Sequence, residues 1–213
     1  MIMNPGTRKL ALTAHVTTSV GWMGAVAAFL ALSIAGMASD SVDVVRSAYV
    51  AMNVIGAAII VPLSAAALVT GLVQGLGTQW GLFRHYWVAT KLVLTVVATV
   101  LLLLHQYTAV AGAARRVSEA APGAMPHVGG LGVQLVVDAG AALVLLLVTT
   151  TLSIYKPWGR TSYGRRVEAS AAGSVTASVS SRPLGFRIFL AIVGAIVAAI
   201  IIIHLAGGGL RHH

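Results

Sequence analysis

Long apolar stretches separated by short polar connections dominate this chain. Five of the stretches are close to or longer than the roughly 20 residues that a helix needs to cross a bilayer. A spanning segment satisfies its backbone hydrogen bonds internally, so we expect helices rather than open strands. The predicted fold class is therefore all-α, an integral membrane helical bundle with a four-helix core and a fifth, C-terminal transmembrane helix. The predicted helices cover residues 10–36, 48–74, 86–109, 132–154 and 184–206.

The connections divide the chain into three parts. Residues 1–155 hold the first four helices, whose short connections predict a compact transmembrane core. Residues 156–183 are basic at first and then rich in Ser, Ala and Gly, which predicts a flexible cytoplasmic linker. Residues 184–213 would form the fifth transmembrane helix and a short tail. Within the second span, Pro62 removes a backbone donor and predicts a kink.

The start of the chain resembles a secretory signal peptide only superficially. Arg8 and Lys9 precede an apolar stretch, as they would in such a signal. Residues 10–37 carry no formal charge, however, and exceed the roughly 7 to 15 residues of a signal's apolar region. We therefore expect a retained first helix.

The distribution of Lys and Arg predicts the orientation. With the N-terminus in the cytoplasm, nine basic residues lie inside and four lie outside, in agreement with the positive-inside rule. Five crossings would then place the C-terminus outside the membrane. The nine inside residues are Arg8, Lys9, Arg84, Lys156, Arg160, Arg165, Arg166, Arg182 and Arg187.

Composition supports a membrane protein and excludes several chemistries. Apolar residues make up 58% of the 213 positions and charged residues 9%, against about 25% charged residues in soluble domains. The net charge of +9 does not indicate nucleic-acid binding, because the basic residues lie between apolar runs. Cysteine is absent, which excludes disulfides, iron–sulfur clusters and cysteine catalysis. No P-loop, Ser–His–Asp order or HExxH motif is present, so no catalytic residue is predicted.

Ionisable side chains inside the predicted spans are the natural candidates for function, because they are costly in hydrocarbon. Four are present: His15, Lys91, His105 and Asp138. His15 shares a helical face with Trp22, and Lys91 enters the third span at nearly the same depth. Two interpretations stay open for each residue. It either serves a binding site, or it only joins helices or, for Lys91, extends to the headgroups.

The third span reaches both leaflets. Arg84, Trp87 and Lys91 fall on one helical face, and His105 follows Lys91 by 14 residues. That separation is roughly 21 Å of rise and only about 40° of rotation. His105 should therefore approach the outer side at the depth of Asp138 on the antiparallel fourth helix. We predict a His105–Asp138 pair there.

The lipid bilayer is the main predicted partner. Gly21 and Gly24 on the first span, with the Ala residues around them, allow another helix to approach closely. Such Gly- and Ala-rich faces predict packing within the core, a homo-oligomer or another membrane partner.

Several short sequence segments resemble those of an uncharacterised family of small polytopic membrane proteins from high-GC bacteria. The resemblance covers about residues 8–166 and implies a location in the bacterial cytoplasmic membrane. It brings no activity with it. The segments are residues 9–15 (KLALTAH), 20–22 (VGW), 80–87 (WGLFRHYW), 134–140 (QLVVDAG) and 155–159 (YKPWG).

More distantly, the layout is similar to two other groups. One is the membrane-bound bacterial protoporphyrinogen oxidase that binds haem b, and the other is the CopD-like copper-resistance proteins. The first similarity implies a redox-related protein in which His15, with Trp22 beside it, holds haem b while Arg84 and Lys91 match basic site residues. The chain lacks the oxidase's aromatic-rich run and has a longer Lys-to-His spacing.

The copper alternative implies metal binding by His and Met, with His15 and His105 as metal-ligand candidates inside the spans. A third possibility from the residues alone is a non-catalytic structural or accessory protein.

Overall fold

The structure is a computed structural model that describes residues 3–78, 82–155 and 159–171. Helices and their connections make up this part of the chain. Four helices are long and apolar enough to cross a membrane: α1 (Pro5–Ala38), α2 (Val42–Gly77), α3 (Tyr86–Glu119) and α4 (Gly130–Tyr155). A shorter helix, α5 (Ser162–Ala171), follows α4. The predicted all-α class and four of the predicted long apolar helices are confirmed. The predicted fifth span, 184–206, lies outside the described residues.

The long helices extend beyond the apolar stretches that predicted them. α1 begins at Pro5, where the side chain of Asn4 accepts a hydrogen bond of 2.8 Å from the backbone N–H of Thr7. Asn is a favourable N-cap residue, and Pro fits the first turn of a helix. α2 and α3 likewise continue through charged residues, among them Arg46, which donates to the carbonyl of Ala120. Hydropathy therefore located the spans but not the helix ends.

The four long helices form an antiparallel ring. α1 packs against α2 and α4, and α3 packs against the same two helices. We call the end where α1 begins the N-terminal end, and the end with residues 39–41 and 120–129 the distal end. The side chains that face outward are largely apolar, for example Val20, Val133 and Val144, each more than half exposed. This is an up-and-down four-helix bundle with an apolar outer surface.

α2 and α3 each contain one π-helical turn, at Gly56–Ile60 and Gln106–Val110. The first turn ends just before Pro62, and the N–H of Val61 bonds the carbonyl of Gly56, five residues earlier. The structure thus has a π turn next to Pro62, the residue at which the sequence predicted a kink. The two turns face each other, and the Gln106 amide donates to the carbonyl and side-chain oxygens of Asn53 at 3.3 and 3.2 Å.

The helix α5 lies within the segment predicted to be a flexible linker. Thr161 holds it in two ways. The Thr161 hydroxyl caps the helix by accepting from the N–H of Gly164 at 3.0 Å, and it donates to the carbonyl of Phe83 at 2.7 Å. The N–H of Thr161 donates to the carbonyl of Arg84 at 2.8 Å. The linker prediction did not include this helix, whose docking onto the α2–α3 connection depends on contacts distant in sequence.

Packing is tighter towards the distal end. Within α1, which the structure describes in full, every buried residue lies at or after Trp22. The main core continues with Phe29, Tyr49, Met52 and Leu135, all less than 8% exposed. The first half of α1 contributes no buried side chain, and a cavity lies beside it between the helices.

Candidate functional site

The larger cavity lies between all four long helices at the N-terminal end. Its volume is about 560 Å³, within the roughly 300–1,000 Å³ typical of small-molecule and cofactor sites. The walls are mostly apolar, with a few polar groups from each helix. These include His15, Ser19 and Trp22 from α1, Gln74 from α2, Trp87, Lys91 and Thr95 from α3, and Thr149 and Ser153 from α4.

His15 is oriented by α2. Its Nδ1 lies 3.1 Å from the carbonyl oxygen of Ala67 and 3.1 Å from the hydroxyl of Thr70. A carbonyl oxygen only accepts, so Nδ1 carries the proton and donates it. The Thr70 hydroxyl in turn donates to the carbonyl of Ala66 at 2.7 Å, which leaves it able to accept from His15. The lone pair of His15 Nε2 is therefore left for a ligand.

Gly71 leaves room for this imidazole. A Cβ atom at position 71 would lie 3.1 Å from Cε1 of His15, tighter than ordinary van der Waals contact. A larger residue would displace the ring from its position against Ala67 and Thr70. The predicted close-approach residue Gly21 faces Leu63 of α2, whereas Gly24 has open space around it.

Lys91 borders the same cavity from α3. Its ammonium group donates to the Ser153 hydroxyl of α4, and that hydroxyl donates to the carbonyl of Thr149 at 2.9 Å. The cavity therefore holds a cation beside an imidazole, and Arg8 adds a second basic side chain to its lining. A pocket with two cationic groups and apolar walls suits a ligand that is largely apolar and carries an anionic group.

The structure brings three of the four predicted cofactor-binding residues together. His15, Trp22 and Lys91 border the larger cavity, and Trp22 is only 4% exposed. Arg84 does not border it. The Arg84 side chain is exposed because this residue lies in the α2–α3 connection, where its carbonyl accepts from Thr161.

A smaller cavity of about 100 Å³ lies towards the distal end. His105 and Asp138 border it, and Nε2 of His105 lies 3.2 Å from Oδ2 of Asp138. The predicted partners thus contact each other, with side-chain exposures of 13% and 19%. Trp22 and Leu146 border both cavities.

The two candidate metal ligands do not share a site. His15 borders the larger cavity and His105 the smaller one. Within residues 3–78, 82–155 and 159–171, no three His, Cys, Asp or Glu side chains converge as metal ligands would.

Sequence reasoning missed the polar residues that support these groups. Thr70 and Ser153 are hydroxyl residues inside apolar spans, and the search for ionisable groups passed over them. Asn53 and Gln106 are amides at central positions of their helices, and polar side chains there indicate interhelical hydrogen bonding. An inventory of all polar residues by depth would have found these four.

No match to a known family decides the function. Comparison of the chain with protein-family models, curated proteins and solved structures finds no match. The geometry of the two cavities is therefore the main guide to function.

Proposed function

We propose that this chain is a haem b-binding, redox-related protein of the bacterial cytoplasmic membrane, in which His15 would hold the haem in the larger cavity. The observation that carries the proposal is the hydrogen bonding of His15. Its Nδ1 donates to Ala67, and Nε2 keeps its lone pair. Histidine ligands commonly use the second ring nitrogen in this way, which fixes the ring and raises its basicity.

The cavity lining fits such a cofactor. The porphyrin plate is apolar and would contact apolar walls and the rings of Trp22 and Trp87, both of which border the cavity. Its carboxylates would be neutralised by Lys91 and Arg8 rather than by Arg84. Ser153 holds the ammonium group of Lys91 towards α4. A haem bound there would supply one-electron chemistry, while these residues bind, orient and shield it.

A haem titration of the detergent-purified full chain tests this proposal. We expect the wild type to give a Soret band and His15→Ala to lose it. Gly71→Ala, which crowds the imidazole, should weaken binding. Lys91→Met should weaken it by roughly 10- to 150-fold, because a charge-assisted hydrogen bond contributes about 1.5–3 kcal/mol.

His127→Ala is the matched control, since His127 is exposed in the α3–α4 connection. It should bind haem as the wild type does. Absence of a Soret band in the wild type would reject the proposal. The polar residues would then serve only as hydrogen-bonding groups between helices. An unchanged band in His15→Ala would reject His15 as the ligand.

The membrane orientation is part of the same proposal. The apolar outer surface of the ring supports burial in lipid, and the basic residues at the N-terminal end support a cytoplasmic location for it. Arg8, Lys9 and Arg84 lie at this end, as do the exposed Arg165 and Arg166 of α5. The larger cavity would then lie in the inner leaflet.

A reporter fusion measures the orientation directly. A reporter that is active only in the cytoplasm, fused after Ser174, should be active, because it follows α5 at the N-terminal end of the bundle. The same reporter inserted after Pro122, in the α3–α4 connection, should be inactive. The reverse pattern would contradict the orientation without affecting the assignment of His15.

A further inference from the structure

The larger cavity reaches the outer surface of the described bundle between α1 and α4. Its lining includes Leu12 and Val16 of α1 and Thr150 and Ile154 of α4, all of which are exposed side chains. The residues that α2 and α3 contribute to the lining are buried or only partly exposed. The cavity therefore has an opening on the side of the bundle where α1 and α4 are neighbours.

The packing of the helices explains why this side is open. The buried residues of α1 begin at Trp22, at the start of the main core that α1 and α4 share. Nearer the N-terminal end α1 is held by α2, where the Gln74 amide donates to the carbonyl of Ala11 at 2.9 Å. At the same end α4 is held by α3, where Lys91 donates to the Ser153 hydroxyl. The helices are thus joined in two pairs, and the opening lies between them.

The rim of the opening is apolar. Leu12, Val16 and Ile154 are each at least half exposed, and they continue the apolar outer surface of the ring. In a bilayer such a rim would face acyl chains rather than water. A ligand that uses this opening therefore comes dissolved in the membrane.

Polarity changes with depth inside the cavity. Arg8 and Lys91, which carry the cationic groups of the lining, lie within the first two turns of α1 and α3 at the N-terminal end. Deeper in the bundle, the lining consists of Trp22, Met23 and Leu146, which present largely apolar surface. A lipid in a leaflet has the same arrangement, with a polar headgroup near the membrane surface and an apolar chain pointing inward.

Lys91 can hold an anionic headgroup. An ammonium group has three N–H donors, and the hydrogen bond to Ser153 uses one of them. A carboxylate accepts from the others, and such hydrogen bonds are strong because both partners are charged. The cavity volume of about 560 Å³ is that of a small-molecule site, which favours a ligand with one chain over a two-chain phospholipid.

We propose that the larger cavity binds a long-chain carboxylate, which enters from the bilayer between α1 and α4. The carboxylate pairs with Lys91, and the chain lies against Trp22 and Leu146. No covalent bond forms or breaks. The ligand shares the cavity with the proposed haem and would compete with it, but its binding does not require haem.

Quenching of tryptophan fluorescence by dibrominated stearate tests this proposal. In a variant with Trp80→Phe and Trp158→Phe, only Trp22 and Trp87 emit, and both border the cavity. They are 4% and 9% exposed, so a brominated chain must enter the cavity to contact them. With this haem-free full-length chain in zwitterionic nanodiscs, we expect saturable quenching by the stearate. The methyl ester has the same chain without the charge and should bind much more weakly.

Further substitutions in this variant separate the headgroup from the route. Lys91→Met should weaken stearate binding by roughly 10- to 150-fold, the range expected for the loss of a charge-assisted hydrogen bond. Val16→Phe combined with Thr150→Phe narrows the opening and should slow the onset of quenching several-fold. Val69→Phe and Val144→Phe are the matched controls, since these exposed residues do not border the cavity, and quenching should keep its original rate.

Contrary results would overturn the proposal in distinct ways. Absence of saturable quenching would show that the chain does not enter the cavity. Equal binding of stearate and its ester would reject recognition of the carboxylate, and this comparison needs no substitution at Lys91. Equally strong quenching by brominated phosphatidylcholine would make bilayer lipid the occupant. An unchanged rate in Val16→Phe with Thr150→Phe, with native circular dichroism, would reject the route. Each outcome is measured without haem and is independent of the Soret measurement.

Discussion

Replacing His105 with leucine should lower the free energy of unfolding by about 1–3 kcal/mol, the usual cost of leaving a largely buried polar group without its partner. His105 Nε2 lies 3.2 Å from Asp138 Oδ2, and both side chains border a largely apolar cavity. Without the imidazole, the Asp138 carboxyl would lose its contact with His105 in low-dielectric surroundings. Unfolding in mixed detergent micelles, followed by circular dichroism, measures the change.

The double variant His105→Leu with Asp138→Leu distinguishes a lost pair from a lost side chain. Replacing both partners with apolar groups removes the stranded carboxyl, so we expect the double variant to recover most of the loss. His127→Leu, an exposed site, is the control and should change stability little. Additive effects of the two single substitutions would contradict a direct pair.

Adding one methyl group at Gly56 should destabilise the bundle by about 1–3 kcal/mol, the usual cost of overpacking. A Cβ atom there would overlap the side-chain amide of Gln106. Gln106 would have to move, and its hydrogen bonds to Asn53 would be lost. The effect of Gly56→Ala is measured by the same detergent titration.

Gly112→Ala is the matched control on α3. A Cβ atom at position 112 meets nothing within 4 Å, so alanine adds helix propensity without a clash. We expect Gly112→Ala to be neutral or more stable by up to about 1 kcal/mol. If Gly56→Ala were equally well tolerated, the close contact between the two π turns would be wrong.

The sequence predicted most of the architecture, because apolar runs of bilayer length leave few alternatives. The positions of the helix ends were harder to predict. Residues after 109 continue α3 as far as Glu119, although Arg115 and Arg116 interrupt the apolar pattern. Helical hydrogen bonding does not stop where hydropathy falls. The docking of α5 could not be predicted either, because Thr161 donates hydrogen bonds to the carbonyls of Phe83 and Arg84, which lie more than 70 residues earlier.

The sequence predicted the ionisable residues of the candidate site but not the polar residues that form hydrogen bonds with them. Depth alone brought His105 to Asp138 and His15 to the level of Lys91. It did not give the partner of His15 on α2, because that contact depends on the rotation of α2 about its axis. The prediction that Arg84 belongs to the same site was also wrong. The helical face that it shares with Lys91 on paper ends at Tyr86, where α3 begins.

Each π turn adds one residue to a helical turn and so shifts the phase of everything after it by about 100°. On α3 the shift falls immediately after His105, which contacts α4. Beyond the turn, the fully buried Ala113 and Val117 belong to a segment that packs against α2. Before the turn α3 packs against both α2 and α4, and beyond it α3 packs against α2, so the interior face of one continuous helix has different neighbours on the two sides of the turn. A single helical wheel cannot represent α3, and the interior side chains of its two segments follow separate periodicities.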